Sequence, residues 1–142
     1  MADTTVAATA TAPQVVLHDN GNAVAVWQQR EGPRETIWAD SYSPSAGWGT
    51  PTRIELISPN TDTRDALAPQ IGMDAAGNAI AVWTQFDGPR SDIWANRYTA
   101  STGTWGTATL IVRIERDPIG SMESPELTVS RGGNAMVVWT QV

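Results

Sequence analysis

GNAVAVWQQ at 21–29, GNAIAVWTQ at 77–85 and GNAMVVWTQ at 133–141 are three writings of one segment, and their reading decides the fold. The copies start 56 residues apart, a period that marks a structural repeat. Within each copy successive side chains alternate between small and branched residues, the period of a β-strand. Ala23, Ala25 and Trp27 share one face and Val24 and Val26 the other. The second copy sets Ala79, Ala81 and Trp83 against Ile80 and Val82, and the third sets Ala135, Val137 and Trp139 against Met136 and Val138. A sheet wet on one side carries polar residues there. This strand is apolar on both faces, so it predicts sheets stacked on sheets, each tryptophan filling the space left by alanines on its neighbour.

Working outward, a proline opens each repeat, at Pro13, Pro69 and Pro125, where it is expected to begin a strand a that needs no ladder donor. Strand a alternates (Val15 and Leu17, Ile71 and Met73, Leu127 and Val129) and ends in a Gly-Asn turn expected to place both residues at positive φ. The tryptophan strand is then strand b. Turns REGPRE from Arg30 and FDGPRS from Phe86 lead into strand c, TIWADSY and DIWANRY. Gly-rich turns carrying Trp48 and Trp105 lead into strand d, expected at 53–57 and 110–114. From Pro13 to Tyr42 the first two copies share 16 of 30 residues without a gap. The chain therefore divides into a segment 1–12, a candidate edge strand exchanged between copies; four-stranded units at 13–68 and 69–124; and a half unit at 125–142, strands a and b alone.

Composition narrows the chemistry. The 142 residues hold nine Arg, no Lys, nine Asp and six Glu, a net charge of −6 that disfavours a nucleic acid partner. Without cysteine there is no thiolate nucleophile or cysteine metal site, and the single His18 and absent lysine remove histidine clusters and Schiff-base chemistry. No apolar run is long enough for a membrane helix. The first twelve residues lack the basic and apolar regions of a secretory signal, while the Thr/Gly/Trp-rich repeats suit an exported bacterial protein, extracellular or periplasmic.

Four-stranded antiparallel repeats joined by a polar connection from outer strand to next inner strand resemble the blades of a β-propeller. The Trp-ended strand b and its Gly-Asn turn are similar to blades of bacterial sialidase-like and lectin-like propellers. The sequence departs from sialidases in two respects. Its turn motif lies between strands a and b rather than c and d, and no arginine triad with a Tyr/Glu pair can be assembled. The resemblance implies an all-β fold of two blades and a half. Since propellers need roughly four to eight blades, the ring is completed by further copies or by further sequence, and a homo-oligomer is the expected partner state.

In a propeller the b–c turns and d–a connections emerge together on the face where ligands usually bind, which points to Arg34 and Arg90 beside Glu31 and Asp87. A planar guanidinium fork next to a carboxylate and an aromatic plate suits sugar hydroxyls and a sugar ring. Trp38 and Trp94 on strand c, and Trp48 and Trp105 in the Gly-rich turns, complete the candidate ligand set. Each has a plainer alternative: the arginines pair with the acids across the hairpin, and these tryptophans pack or cap a blade. Trp27, Trp83 and Trp139 belong to the core, Gln29, Gln85 and Gln141 are expected to bind backbone, and His18, without counterpart in the other copies, is expected to be incidental. No carboxylate pair of the glycosidase kind is identifiable. The expectation is therefore a multivalent carbohydrate-binding module that is not an enzyme, with a protein-interaction scaffold as the alternative and neither cofactor nor metal implied.

Overall fold

The computed structural model describes residues 9–55, 64–87, 90–112 and 121–142. Among them all regular structure is β-strand, in three antiparallel sheets. The first sheet contains β1 (Ala10–Leu17), β2 (Ala23–Glu31), β3 (Arg34–Ser43), β4 (Gly47–Trp48) and β5 (Thr52–Arg53). The second repeats it with β6 (Ala66–Met73), β7 (Ala79–Asp87), β8 (Arg90–Thr99), β9 (Thr104–Trp105) and β10 (Thr109–Val112). The third is the pair β11 (Met122–Val129) and β12 (Ala135–Gln141). In both large sheets strand c pairs separately with the short tryptophan strand and with strand d. The polar connections 58–63 and 115–120, the far ends of the expected d strands, and most of segment 1–12 lie outside the described residues.

Antiparallel register fixes the faces. Trp27 stands opposite Trp38 and Trp83 opposite Trp94, with Ala25 opposite Asp40 and Ala81 opposite Asn96. The core joins Val24, Val26, Ile37, Ala39 and Ile54 of the first sheet to Ala66, Ile71, Ala79, Ala81, Trp83 and Trp94 of the second. The sheets stack as expected, but the branched face of one packs on the alanine-and-tryptophan face of the next. The tryptophan thus meets the branched face of its neighbour and not the neighbour's strand-b alanines, because successive sheets stack in the same orientation and unlike faces meet. Trp83 and Val26 are fully buried. The indole of Trp83 donates to Gln85 Oε1 at 3.0 Å and that of Trp27 to Gln29 Oε1 at 3.1 Å. The Oε1 atoms of these glutamines therefore satisfy the buried indoles, a role not expected from the sequence, because a buried N–H without an acceptor is costly.

Two local expectations are corrected. The a strands begin at Ala10, Ala66 and Met122, so each proline lies inside its strand instead of opening it. The register shifts between Thr11 and Gln14, Leu67 and Gln70, and Glu123 and Glu126. Two residues there oppose one, the geometry of a bulge, and a proline tolerates the lost ladder bond. Ala12, Ala68 and Ser124, just before the prolines, take φ of 48°, 54° and 50°. In the hairpin turns only the glycine is left-handed, at 89° for Gly21 and 85° for Gly77. The neighbouring asparagine works through its side chain: Asn78 Nδ2 donates to Asp74 Oδ2 at 3.1 Å, and its Oδ1 accepts the Ala100 N–H at 3.1 Å.

The third sheet leans on the second through β11, which contacts β6, β7 and β8. The approach is tight at Gly72, where an added Cβ would collide with Val129 Cγ2 and lie 2.9 Å from Val129 Cβ. Gly72→Val is expected to force the two sheets apart and to cost about 1–3 kcal/mol, measured as the loss of unfolding free energy in urea. An unchanged midpoint would show that the third sheet does not pack where the structure places it.

Candidate ligand site at the sheet junctions

The b–c hairpin of the first sheet brings Glu31 and Arg34 into backbone register, yet their side chains choose other partners. Arg34 Nη2 lies 3.1 Å from Glu55 Oε1, and Arg53 Nη2 reaches the same oxygen at 2.7 Å. Arg53 Nη1 in turn sits 3.5 Å from Glu31 Oε2. The Glu55 carboxylate is fully enclosed, and its second oxygen accepts the Ile37 N–H at 2.9 Å. Burial pushes the Glu55 carboxyl up from its ordinary value; the Arg53 hydrogen bond, the Ile37 N–H and the charges of Arg53 and Arg34 pull it down without cancelling burial. Arg34 is thereby engaged within its own sheet.

The remaining candidates are distributed. Trp38 is half-buried and donates its indole N–H to Thr36 Oγ1 at 3.1 Å. Trp94 is buried in the core between the sheets, its indole N–H without a hydrogen-bond acceptor among the described residues. Arg90 is half-buried in register with Asp87, whose side chain lies outside the described part. Trp105 is half-buried against Tyr98, ring centroids 5.6 Å apart. Trp48 is different: it is 45% exposed, tilted against Tyr42 with centroids 5.5 Å apart.

Trp48 sits at the end of the sheet opposite the Arg34 hairpin, and there the first and second sheets enclose a cleft of about 520 Å³. Its polar wall includes His18, Asn20, Ser41 and Tyr42 from the first sheet, and Tyr98 and Ser101 face them from the second. The junction of the second and third sheets forms a smaller cleft of about 250 Å³. All nine residues lining the smaller cleft stand 56 positions after residues lining the larger one, Asn78 after Asn22 and Tyr98 after Tyr42 among them. The sequence repeat is therefore also a repeat of clefts. Their polar groups differ, since His18 and Ser41 are replaced by Asp74 and Arg97.

The turns bordering the clefts are tied together. His18 Nε2 donates to the Ala75 carbonyl at 2.8 Å while its Nδ1 accepts the Asn20 N–H at 3.2 Å, so this histidine couples two sheets and is not incidental. The Ala75 carbonyl holds His18 above its ordinary value, aided by Asn20 and the carboxylates of Asp19 and Asp74. One step on, the Ala75 N–H donates to the Arg131 carbonyl at 2.9 Å, continuing the link to the third sheet. Burial pushes Asp74 up, but hydrogen bonds from the Asn78 side chain and from the Asn78, Ala76 and Gly77 N–H groups outweigh it and hold it below the usual range. Among the described residues no cluster of three or more histidines or carboxylates could hold a metal ion, and no helix is long and apolar enough to cross a membrane.

The fold is similar to the crystal structure of an endo-arabinase from Bacteroides thetaiotaomicron, with a TM-score of 0.55 and 15% identity, over 92% of this chain and 50% of that one. No family model and no curated protein matches the sequence. The chain thus consists of two propeller-type blades and the inner half of a third, and spans half the length of that solved structure. The similarity reaches the propeller architecture and goes no further toward a sialidase-like or lectin-like kind. It also corrects the expectation that the chain is not an enzyme: the similar structure is that of an enzyme, so this fold gives no ground for setting catalysis aside.

The enclosed Glu55 gives a pH signature. Because its folded value lies above the unfolded 4.5, its contribution to stability is present below that pH and is lost as pH rises through the folded value. In urea unfolding, Glu55→Gln should therefore improve relative to the unmodified chain as pH rises above 4.5. A constant difference across that rise would contradict the burial of this carboxyl.

Proposed function

We propose that this blade assembly recognises carbohydrate, with the sugar held in the cleft between the first and second blades. The observation that supports this most is the pairing of an exposed indole, Trp48, with the polar wall of Asn20, Ser41 and Tyr42 in a cleft of about 520 Å³. That volume lies within the range of small-molecule sites, roughly 300–1,000 Å³. A sugar ring offers one apolar face and a rim of hydroxyls; Trp48 supplies the plate and the polar side chains supply donors and acceptors. The second cleft, with Tyr98, Arg97 and Asp74, offers a site of different polarity. Two weak sites on one chain favour a polymeric ligand, since the second contact becomes intramolecular.

The likeness to an endo-arabinase makes arabinose-containing oligosaccharides the first ligands to test. Titration followed by tryptophan fluorescence should show saturable binding, and Trp48→Ala should weaken it about tenfold or more, ~1.4 kcal/mol, with the circular dichroism spectrum unchanged. Equal binding by Trp48→Ala, or no saturable binding across arabino-, xylo- and galacto-oligosaccharides, would overturn the assignment.

A further inference from the structure

Both ends of the stack leave an apolar face uncovered among the described residues. On the first blade Val15 is 64% and Leu17 74% exposed, on the same face as Ala25 and Trp27. The residues one repeat later, Ile71 and Met73, are buried and half-buried because that face of the second blade is covered by the first. On the half blade Met136 is 67% and Val138 57% exposed. Their counterparts one and two repeats earlier, Ile80, Val82, Val24 and Val26, are all buried. Each open face is thus chemically the mate of the other: one is the alanine-and-tryptophan face, the other the aliphatic face of the kind that covers it between the first and second blades. Beside Ala25 and Trp27 lies an apolar hollow of about 330 Å³, room for side chains from an opposing sheet.

We propose that two copies of this chain join head to tail, the first-blade face of each seated on the half-blade face of the other, to close one ring. The occupant follows from continuity with an existing interface: the contact between copies repeats the contact that joins the first blade to the second. A head-to-tail contact generates a ring when its rotation closes. Each chain supplies two full sheets and a two-stranded one, and propellers close at roughly four to eight blades. Two copies bring four whole blades and two half blades, which falls in that range, so two chains complete the circle. The proposal does not rest on the sugar reading, but the two meet at Trp48, which lines both the larger cleft and the apolar hollow. The arginine variants that test it are therefore placed at residues that line neither cleft.

Sedimentation at micromolar concentration should give twice the 15.2 kDa of one chain. Val15→Arg and Val138→Arg, each at an exposed position, should separately yield folded monomers, the dissociation constant rising about 100-fold or more because every junction then buries an unpaired charge. Leu17→Arg and Met136→Arg serve as second variants of the same two faces. Mixing Val15→Arg with Val138→Arg should restore a 1:1 complex, because one junction then joins two unmodified faces. A monomeric unmodified chain would overturn the proposal and leave the faces to some other occupant. A variant that stays dimeric alone, or a mixture that never pairs, would overturn the head-to-tail geometry in favour of like faces meeting.

Discussion

The structure depends on one packing constraint: a face of two small residues and a tryptophan must lie against a branched aliphatic face of the neighbouring sheet. Trp83 shows why. Ala79 and Ala81 are small neighbours on the same face, and the fully buried indole shares one core with Val24, Val26, Ile37 and Ile54 of the first sheet. Burying a side chain of that size contributes several kcal/mol at about 25 cal/mol per Å², against a total domain stability of ~5–15 kcal/mol. The indole N–H would be a liability in such a place, and Gln85 removes it from two residues along the same strand. Since a side chain two positions on shares the face, the Trp-x-Gln spacing is a consequence of the pleat.

From that packing follows the position of the clefts. Sheets that stack by the middle of their strands leave openings where the turns project, and the a–b and c–d turns of adjacent blades border them. The same turns are cross-linked by His18 to Ala75 and by Ala75 to Arg131, so the rims are held by backbone and side-chain bonds rather than by loops free to drift. At the other end of the first blade, the Arg34, Arg53, Glu31 and Glu55 network fastens strands c and d to the b–c hairpin. One end of the first blade is thus fastened by ion pairs within its own sheet, and the other borders a cleft that is open, polar and aromatic.

Much of this was legible in the residues themselves. Alternation gave the strands, the 56-residue period gave the blades, and apolar character on both faces gave the stacking. What escaped was whatever depends on two segments far apart in sequence. The bulge at Ala12–Pro13 reads locally as a strand start, because proline suits both. Arg34 reads as the partner of Glu31, three residues away, while the enclosed Glu55 draws it instead. Of the eight residues expected to bind ligand, Trp48 lines the larger cleft; the polar positions beside it, His18, Asn20 and Ser41, carry no shared residue type from copy to copy. Their signal was Tyr42 and Tyr98, the one aromatic repeated in phase at the cleft wall.

The blade-to-blade packing is tested most directly by denaturant unfolding of Trp83→Ala beside the unmodified chain. The account predicts a loss of about 3–5 kcal/mol, the cost of deleting a fully buried aromatic whose surroundings cannot collapse. A loss below about 1 kcal/mol would mean that Trp83 is not enclosed between two blades, and the stacked architecture would not stand.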